Sequence, residues 1–243
     1  MRHPRLFVDQ PLSAGARAEL DRDCAHYLGR VLRLRPGAAI TLFNGRGGEY
    51  PATLAALSRA RASADLGPHD PVERESALAI TLIQGISRGQ RMDYTIQKAV
   101  ELGAARIIAW EAARSVVRLN DERRRKRLVH WQAVARSAAM QCGRNRIPPV
   151  CEEQSLDAAL AGLPAGRLLL DPEAQTPLSV LVRPQNAEVA LLIGPEGGLS
   201  PHEVGLARRE GFRALRLGPR VLRTETAGAA ALAALQTLWG DLA

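Results

Sequence analysis

No apolar run in this 243-residue chain approaches the roughly 20 residues needed to span a bilayer. The N-terminus, Met1-Arg2-His3-Pro4-Arg5, is basic, but no apolar signal core follows it, so a cytoplasmic chain is expected. Aromatic residues are scarce at 4%, which argues against a stacking platform for single strands. The three cysteines, Cys24, Cys142 and Cys151, are odd in number and scattered. No CxxC or Cys/His spacing suggests zinc, and no metal is expected. The cysteines read as reduced thiols in a reducing compartment. No internal repeat or low-complexity tract interrupts the chain.

What is present is an ordinary globular balance, 46% hydrophobic and 24% charged. The length suits one large domain or two small ones. The formal net charge is +8, and its location says more than its size. Between Arg114 and Arg146 there are ten Arg and Lys residues and two acids, Asp121 and Glu122, a net of +8 that equals that of the whole chain. Clustered cations of this kind release condensed counterions from a phosphate backbone and suggest a polyanion partner. A solvated helix face would have the same composition.

Residues 1 to about 70 read as short strands and turns: Arg5–Val8, Ala39–Phe43, the turn Asn44-Gly-Arg-Gly-Gly48 and a return strand from Glu49 to Leu54. A short helix is expected over His26–Arg33. The pattern suits a small β-barrel, and the stretch 67–76, with two prolines and four charged residues, reads as a linker. From Ala77 onward strands and helices alternate, which implies a parallel α/β sheet. The expected strands are Ala77–Gln84, Arg106–Trp110, Leu168–Leu170, Val189–Ile193 and Ala214–Leu217. The expected helices are Asp93–Leu102, Asp121–Cys142, one opened by the capping box Ser200-Pro-His-Glu203, and Thr224–Trp239.

Two segments carry the density of polar groups that chemistry needs. In Leu192-Ile-Gly-Pro-Glu-Gly-Gly-Leu-Ser200, a buried strand runs into a glycine-rich loop and then a capped helix. Ligands of α/β sheets bind beyond such strand ends. The loop is neither GxGxxG nor Walker-like, since no Lys-Ser/Thr follows to hold phosphate and magnesium; a plain strand-to-helix turn has the same shape. In Leu217-Gly-Pro-Arg-Val-Leu-Arg-Thr-Glu-Thr-Ala227, Arg220, Arg223, Thr224, Glu225 and Thr226 crowd into seven positions. Thr224 or Thr226 capping the last helix, with Glu225 at its positive end, would account for part of this.

Together GPEGG-L-S and LGPRVLRTETA resemble the RsmE family of 16S ribosomal RNA uracil-N3 methyltransferases, within the SPOUT superfamily. Three further stretches agree: His26-Tyr-Leu-Gly-Arg-Val-Leu-Arg33, Ser87-Arg-Gly-Gln-Arg-Met-Asp93 with Ile96-Gln-Lys-Ala-Val-Glu-Leu-Gly103, and Gln141-Cys-Gly-Arg-Asn-Arg-Ile-Pro148. The similarity covers nearly the whole chain in order. One position departs: the family usually carries glutamate just before QCGR, and this chain has Met140.

The resemblance implies a C-terminal SPOUT-type α/β domain with a trefoil knot, residues 73–243, and an N-terminal PUA-like β-barrel that binds RNA, residues 1–72. It implies S-adenosylmethionine held in a bent shape by Leu170, Ile193, Gly194, Gly197, Leu217, Gly218, Leu222 and Thr224. Glu196, Arg223 and Glu225 are the catalytic candidates. A carboxylate would take the N3 proton, and an arginine would stabilise the uracilate oxygens. Arg5, Arg30, Arg33, Arg88, Arg91, Lys98, Arg114, Arg144 and Arg146 are candidate RNA contacts, reading phosphate and shape more than base edges. The implied partners are 16S rRNA in the 30S subunit and a second copy of the chain, with no membrane. The rival readings are methylation of another rRNA or tRNA position on the same fold, and an RNA-binding assembly factor without catalysis. A nucleotide-binding protein is a weaker rival, because the phosphate-loop lysine is missing.

Overall fold

The computed structural model describes residues 3–114 and 121–242. Arg118, one of the ten basic residues counted above, lies outside the described residues, as do Met1 and Arg2. The chain divides into two units: Met1–Glu75 with Ala139–Ile147, and Ser76–Ala138 with Pro148–Ala243. The sequence reading placed the change at 72/73 and had no counterpart for the 139–147 excursion.

The first unit is a five-stranded sheet built from β1 (Arg5–Phe7), β2 (Arg17–Leu20), β3 (Ala39–Phe43), β4 (Tyr50–Leu57) and β5 (Ala62–Leu66), in the order β1-β3-β4-β5-β2. Only β1 and β3 pair in parallel. β1 and β2 occupy opposite edges, so the sheet is open rather than a closed barrel. Alternating side chains turn Leu6, Leu20, Ile40, Leu42, Leu54 and Leu66 into one core. β2 and β5 were not foreseen. Each is short and half polar; β5 pairs with β4 on one side and with β2 on the other, where Arg17 and Asp65 meet at 2.7 Å. The helix expected over His26–Arg33 starts earlier, as α1 (Arg22–His26). Asp21 caps it by accepting from the Cys24 N–H at 2.8 Å. A single π turn, Tyr27–Val31, continues it.

Arg5 explains why residues 139–147 belong to this unit. Its guanidinium donates to Glu49 at 2.8 Å, to the carbonyls of Ala139 and Arg144 at 3.2 Å, and to Asn145, and it lies 4.6 Å from the Phe43 ring. Glu49 also accepts from Arg74 at 3.2 Å. Burial alone would raise the Glu49 carboxyl, but donors from Arg74 and Arg5 overcome it and hold the group below its usual range. Arg144 closes on Glu75, and Asn145 on the Val72 carbonyl. Arg5 and Arg144, expected to face RNA, are therefore structural cross-links with side chains only 9% and 6% exposed.

The second unit is a six-stranded, wholly parallel sheet, β11-β9-β10-β6-β7-β8. Its strands are β6 (Ala79–Gly85), β7 (Ala104–Trp110), β8 (Val150–Glu153), β9 (Gly166–Leu170), β10 (Glu188–Ile193) and β11 (Arg213–Leu215). Its helices are α2 (Gln90–Glu101), α3 (Asp121–Cys142), α4 (Leu156–Leu160), α5 (Pro201–Arg209) and α6 (Thr224–Trp239). The last residues of α3, from Ala139, are grouped with the first unit. The alternation read from sequence and the apolar central strands match this α/β sheet: Val189 to Ile193 are all buried, as a strand covered on both faces requires. β8 and α4 were not foreseen, being too short to set up a period. The capping box at Ser200 is formed in full, each of Ser200 and Glu203 bonding the other's backbone N–H. No helix among the described residues is long and apolar enough to cross a membrane.

Part of the α3 basic run is turned inward. Arg124 and Arg127 both close on Glu152, whose side chain is 1% exposed, and Glu111 sits 3.3 Å from Arg124. The Arg127 guanidinium stacks 4.8 Å from the Trp131 ring centre. Removing one partner of a buried ion cluster strands the opposite charge, so Glu152→Ala is expected to cost about 3 kcal/mol or more. The denaturant midpoint measures this, and an unchanged midpoint would refute the structural role given to the cluster.

Candidate functional site

The loops that follow β9, β10 and β11 meet at the carboxyl edge of the parallel sheet and enclose a cavity of about 520 Å³. Leu170–Pro172 forms one wall, residues around Gly194–Leu199 a second, and the stretch 215–225 a third; Arg91 of α2 and Val204 of α5 complete it. All three catalytic candidates, Glu196, Arg223 and Glu225, line it. So do Leu170, Ile193, Gly194, Leu217, Gly218, Leu222 and Thr224. Gly197 does not; it backs onto Arg114, which donates to its carbonyl at 3.3 Å, and Gly198 lines the cavity in its place. Gly218 sits at φ +67°, in the left-handed region that glycine adopts without strain.

The two loops are tied together by a residue that sequence reasoning passed over. Gln84, near the end of β6, is fully buried. Its amide Nε2 donates to Thr224 Oγ1 at 2.8 Å, to the Gly85 carbonyl at 3.0 Å and to the Gly194 carbonyl at 3.4 Å. The Thr224 hydroxyl in turn donates to the Gly194 carbonyl at 2.6 Å. Thr224 is thus not a helix cap: Arg223 holds that position, without a side-chain bond. The next residue, Gly85, packs so closely on Pro195 that a Cβ there would lie 2.6 Å from the proline nitrogen. A signal for Gln84 existed, since it is the only amide in a largely apolar strand. Asp171 was also passed over. It follows the apolar run Leu168–Leu170 at a strand end, lines the cavity, and is 16% exposed.

Charge is concentrated at one side of the cavity. Glu196 Oε1 accepts from the Arg88 backbone N–H at 3.0 Å and from Arg91 at 3.1 Å. Arg91 also reaches to 3.8 Å from Glu225. Burial pushes the Glu196 carboxyl up, but donors from the Arg88 backbone, its own backbone N–H and Arg91 outweigh burial and leave it below its ordinary range.

Of the expected RNA contacts, Arg88, Arg91 and Arg114 converge on the Glu196–Gly197 turn. Lys98 pairs with Glu101 at 2.8 Å within α2. Arg146 is exposed and pairs with Glu73 at 3.0 Å. Arg30 and Arg33 are exposed in the first unit; Arg33 adopts φ +55°. Among the described residues no group of three or more His, Cys, Asp or Glu is arranged to hold a metal ion.

Comparison with known proteins decides the lineage. Residues 74–236 match an RNA methyltransferase domain, and residues 20–66 an RNA methyltransferase PUA domain. The chain belongs to the ribosomal RNA small subunit methyltransferase E family. The member from Mycobacterium bovis is 34% identical over 96% of this chain and 91% of its own; that from Bacillus subtilis is 31% identical over 95% of each. The crystal structure of the Neisseria gonorrhoeae methyltransferase E bound to S-adenosyl methionine shares 40% identity, covers all of both chains and superposes with a TM-score of 0.92. A methyltransferase from Legionella pneumophila, in complex with the same cofactor, is 36% identical with a TM-score of 0.95, again over all of both chains. The family and the small PUA-type first unit agree with the resemblance read from the motifs.

Two outcomes follow for this methyltransferase. Gly85→Ala is expected to push Pro195 and Gly194 into the cavity and weaken S-adenosylmethionine binding by about tenfold or more, roughly 1.4 kcal/mol. Calorimetry checks this, and unchanged affinity would separate the Gly85 approach from the site. Glu196 has a folded pKa below its unfolded value of about 4.3, so its stabilisation is present above that value and lost as pH falls through the folded one. Glu196→Gln should therefore destabilise the protein at neutral pH, and less so at a pH acid enough to protonate the carboxyl in both states. Urea midpoints at the two pH values give the comparison.

Proposed function

We propose that this protein methylates N3 of a uridine in 16S ribosomal RNA of the small ribosomal subunit, with S-adenosylmethionine as methyl donor. The observation that carries the reading is the cavity between the two glycine-bearing loops, in a chain whose relatives are named for that RNA subunit and crystallise with that cofactor.

The residues present fit such a cofactor. Leu170, Ile193, Leu217 and Leu222 offer an apolar bed for an adenine ring, and the backbone around Gly194 and Gly218 allows close approach. Two carboxylates, Glu196 and Glu225, suit a cationic ligand, and Arg220 and Arg223 on the rim suit its carboxylate or an RNA phosphate. When bound, the cofactor supplies a methyl group on a positively charged sulfur. The chain's part is to hold the base in line with that methyl, keep water out and take the N3 proton. N3 lies on the pairing edge, so the target base must be unpaired or flipped out. Arg223, exposed beside the cavity, is suited to face the uracil oxygens as negative charge develops.

The division of labour we assign is RNA binding to residues 1–72 and methyl transfer to residues 73–243, with the two loops forming the knotted crossing that the family resemblance implies. The enzyme would work as a homodimer in the cytoplasm. Arg30, Arg33, Arg88, Arg114 and Arg146 are the phosphate contacts that best fit their exposure; Arg91 faces the cavity instead.

Nucleoside mass spectrometry of 16S rRNA from a deletion strain and its complemented partner tests the reading: 3-methyluridine should vanish and return. Its persistence in the deletion strain would refute the target. Affinity of the purified protein for the 30S subunit should also fall steeply with salt, by about 0.7 log units per phosphate contact for each tenfold rise; a flat response would remove the phosphate role from these arginines.

A further inference from the structure

The two carboxylates of the cavity are held in unlike ways, and the difference separates their roles. Glu196 has one oxygen occupied by two donors, the Arg88 N–H at 3.0 Å and the Arg91 guanidinium at 3.1 Å. Glu225 is the more enclosed, its side chain 14% exposed against 27% for Glu196. Yet among the described residues no donor hydrogen-bonds to its carboxylate, and Oε2 is fully buried without a partner. Its nearest cation, Arg91 Nε, stays 3.8 Å away. A buried carboxylate oxygen left unpaired is costly. Its acceptor capacity is unspent, whereas Glu196 already commits Oε1 to two donors that favour its ionised form and so weaken it as a proton acceptor.

The same comparison gives Arg91 a second meaning. It is drawn to Glu196 across the cavity mouth, from α2 to the loop after β10. In that pairing the guanidinium stays 3.8 Å from Glu225.

We propose, on the reading of the preceding section, that Glu225 is the general base for the N3 proton and that Glu196 is a positioning residue that holds Arg91. In the step, the N3–H bond breaks and its proton passes to Glu225 Oε1, the oxygen that is not enclosed. The N3 electron pair forms the new bond to the methyl carbon. The carbon–sulfur bond breaks with its electron pair remaining on sulfur, which leaves as a neutral thioether. One carboxylate and one sulfonium become one carboxylic acid and one thioether, so charge balances within the cavity, and the acid then loses its proton to solvent.

The test uses the full-length enzyme, S-adenosylmethionine and 30S subunits purified from the deletion strain. Glu225→Gln is expected to lower single-turnover N3 methylation by about 100-fold or more. Calorimetric affinity for S-adenosylmethionine should stay within about threefold of wild type, and Tm should be preserved, because only the proton acceptor is lost. The residual rate should climb about tenfold per pH unit on the alkaline side, where hydroxide replaces the missing base, while the wild-type rate has levelled off. Glu196→Gln should lower the rate without acquiring that alkaline slope. Retention of the rate in Glu225→Gln overturns the assignment. So does loss of cofactor affinity by about tenfold, which would make Glu225 an anchor for the cofactor's amine, and so does an alkaline slope appearing in Glu196→Gln instead. A wild-type enzyme that places no methyl on N3 overturns the substrate reading, and the assignment with it; N3 methylation that survives Glu225→Gln overturns the assignment alone.

Discussion

One buried amide sets the shape of the cavity. Gln84 has no exposed surface, and its nitrogen reaches residues 110 and 140 positions away in sequence. Through Gly194 and Thr224 it joins the end of β6, the loop after β10 and the first turn of α6. Each such bond is worth only about 1 kcal/mol net, but a buried donor or acceptor left unpaired costs about 1–3 kcal/mol, so the three segments have little freedom to separate. The close approach of Gly85 to Pro195 adds a steric limit to the same junction. The orientation of Gly194 and of the 216–223 loop, and hence the width of the cavity, depends on this arrangement.

Electrostatics build on that frame. Arg91 bonds Glu196 in the loop after β10 and stays 3.8 Å from Glu225 in the first turn of α6, which gathers both carboxylates around one cation. The net charge of +8 is distributed less simply than its position along the chain implies. Arg5, Arg124, Arg127 and Arg144 spend their charge on Glu49, Glu152 and Glu75 inside their own units. Such pairs hold structure together and offer little to a phosphate backbone. Outward cations remain both within the 114–146 run, as at Arg114, Arg125, Lys126 and Arg146, and outside it, as at Arg30 and Arg33.

Most of the second unit was legible beforehand. The α/β alternation, the extents of α3 and α6 and the Ser200 cap came from periodicity and from residues whose preferences are local. The two loops and nearly all their cavity residues were found because glycine, proline and charged side chains crowd there to a degree that a plain connection does not need. What escaped was short or paired at a distance: β2, β5, β8 and α4 have no period to read, and β2 becomes a strand by pairing with β5, some 45 residues on. Gln84 escaped because one amide in an apolar run looks like noise until its partners are known.

The amino-acid pattern alone settled the class of fold, the family, and which loops would line the cavity, because these follow from hydrophobic period, turn chemistry and motifs contiguous along the chain. Tertiary structure decided which arginines are cross-links and which face outward, that residues 139–147 belong with the first unit, that Gly198 rather than Gly197 lines the cavity, and which carboxylate has an oxygen occupied. Each of these depends on partners scores of residues apart. Whether a charge is spent or available is a property of its neighbours in space, which the order of residues does not record.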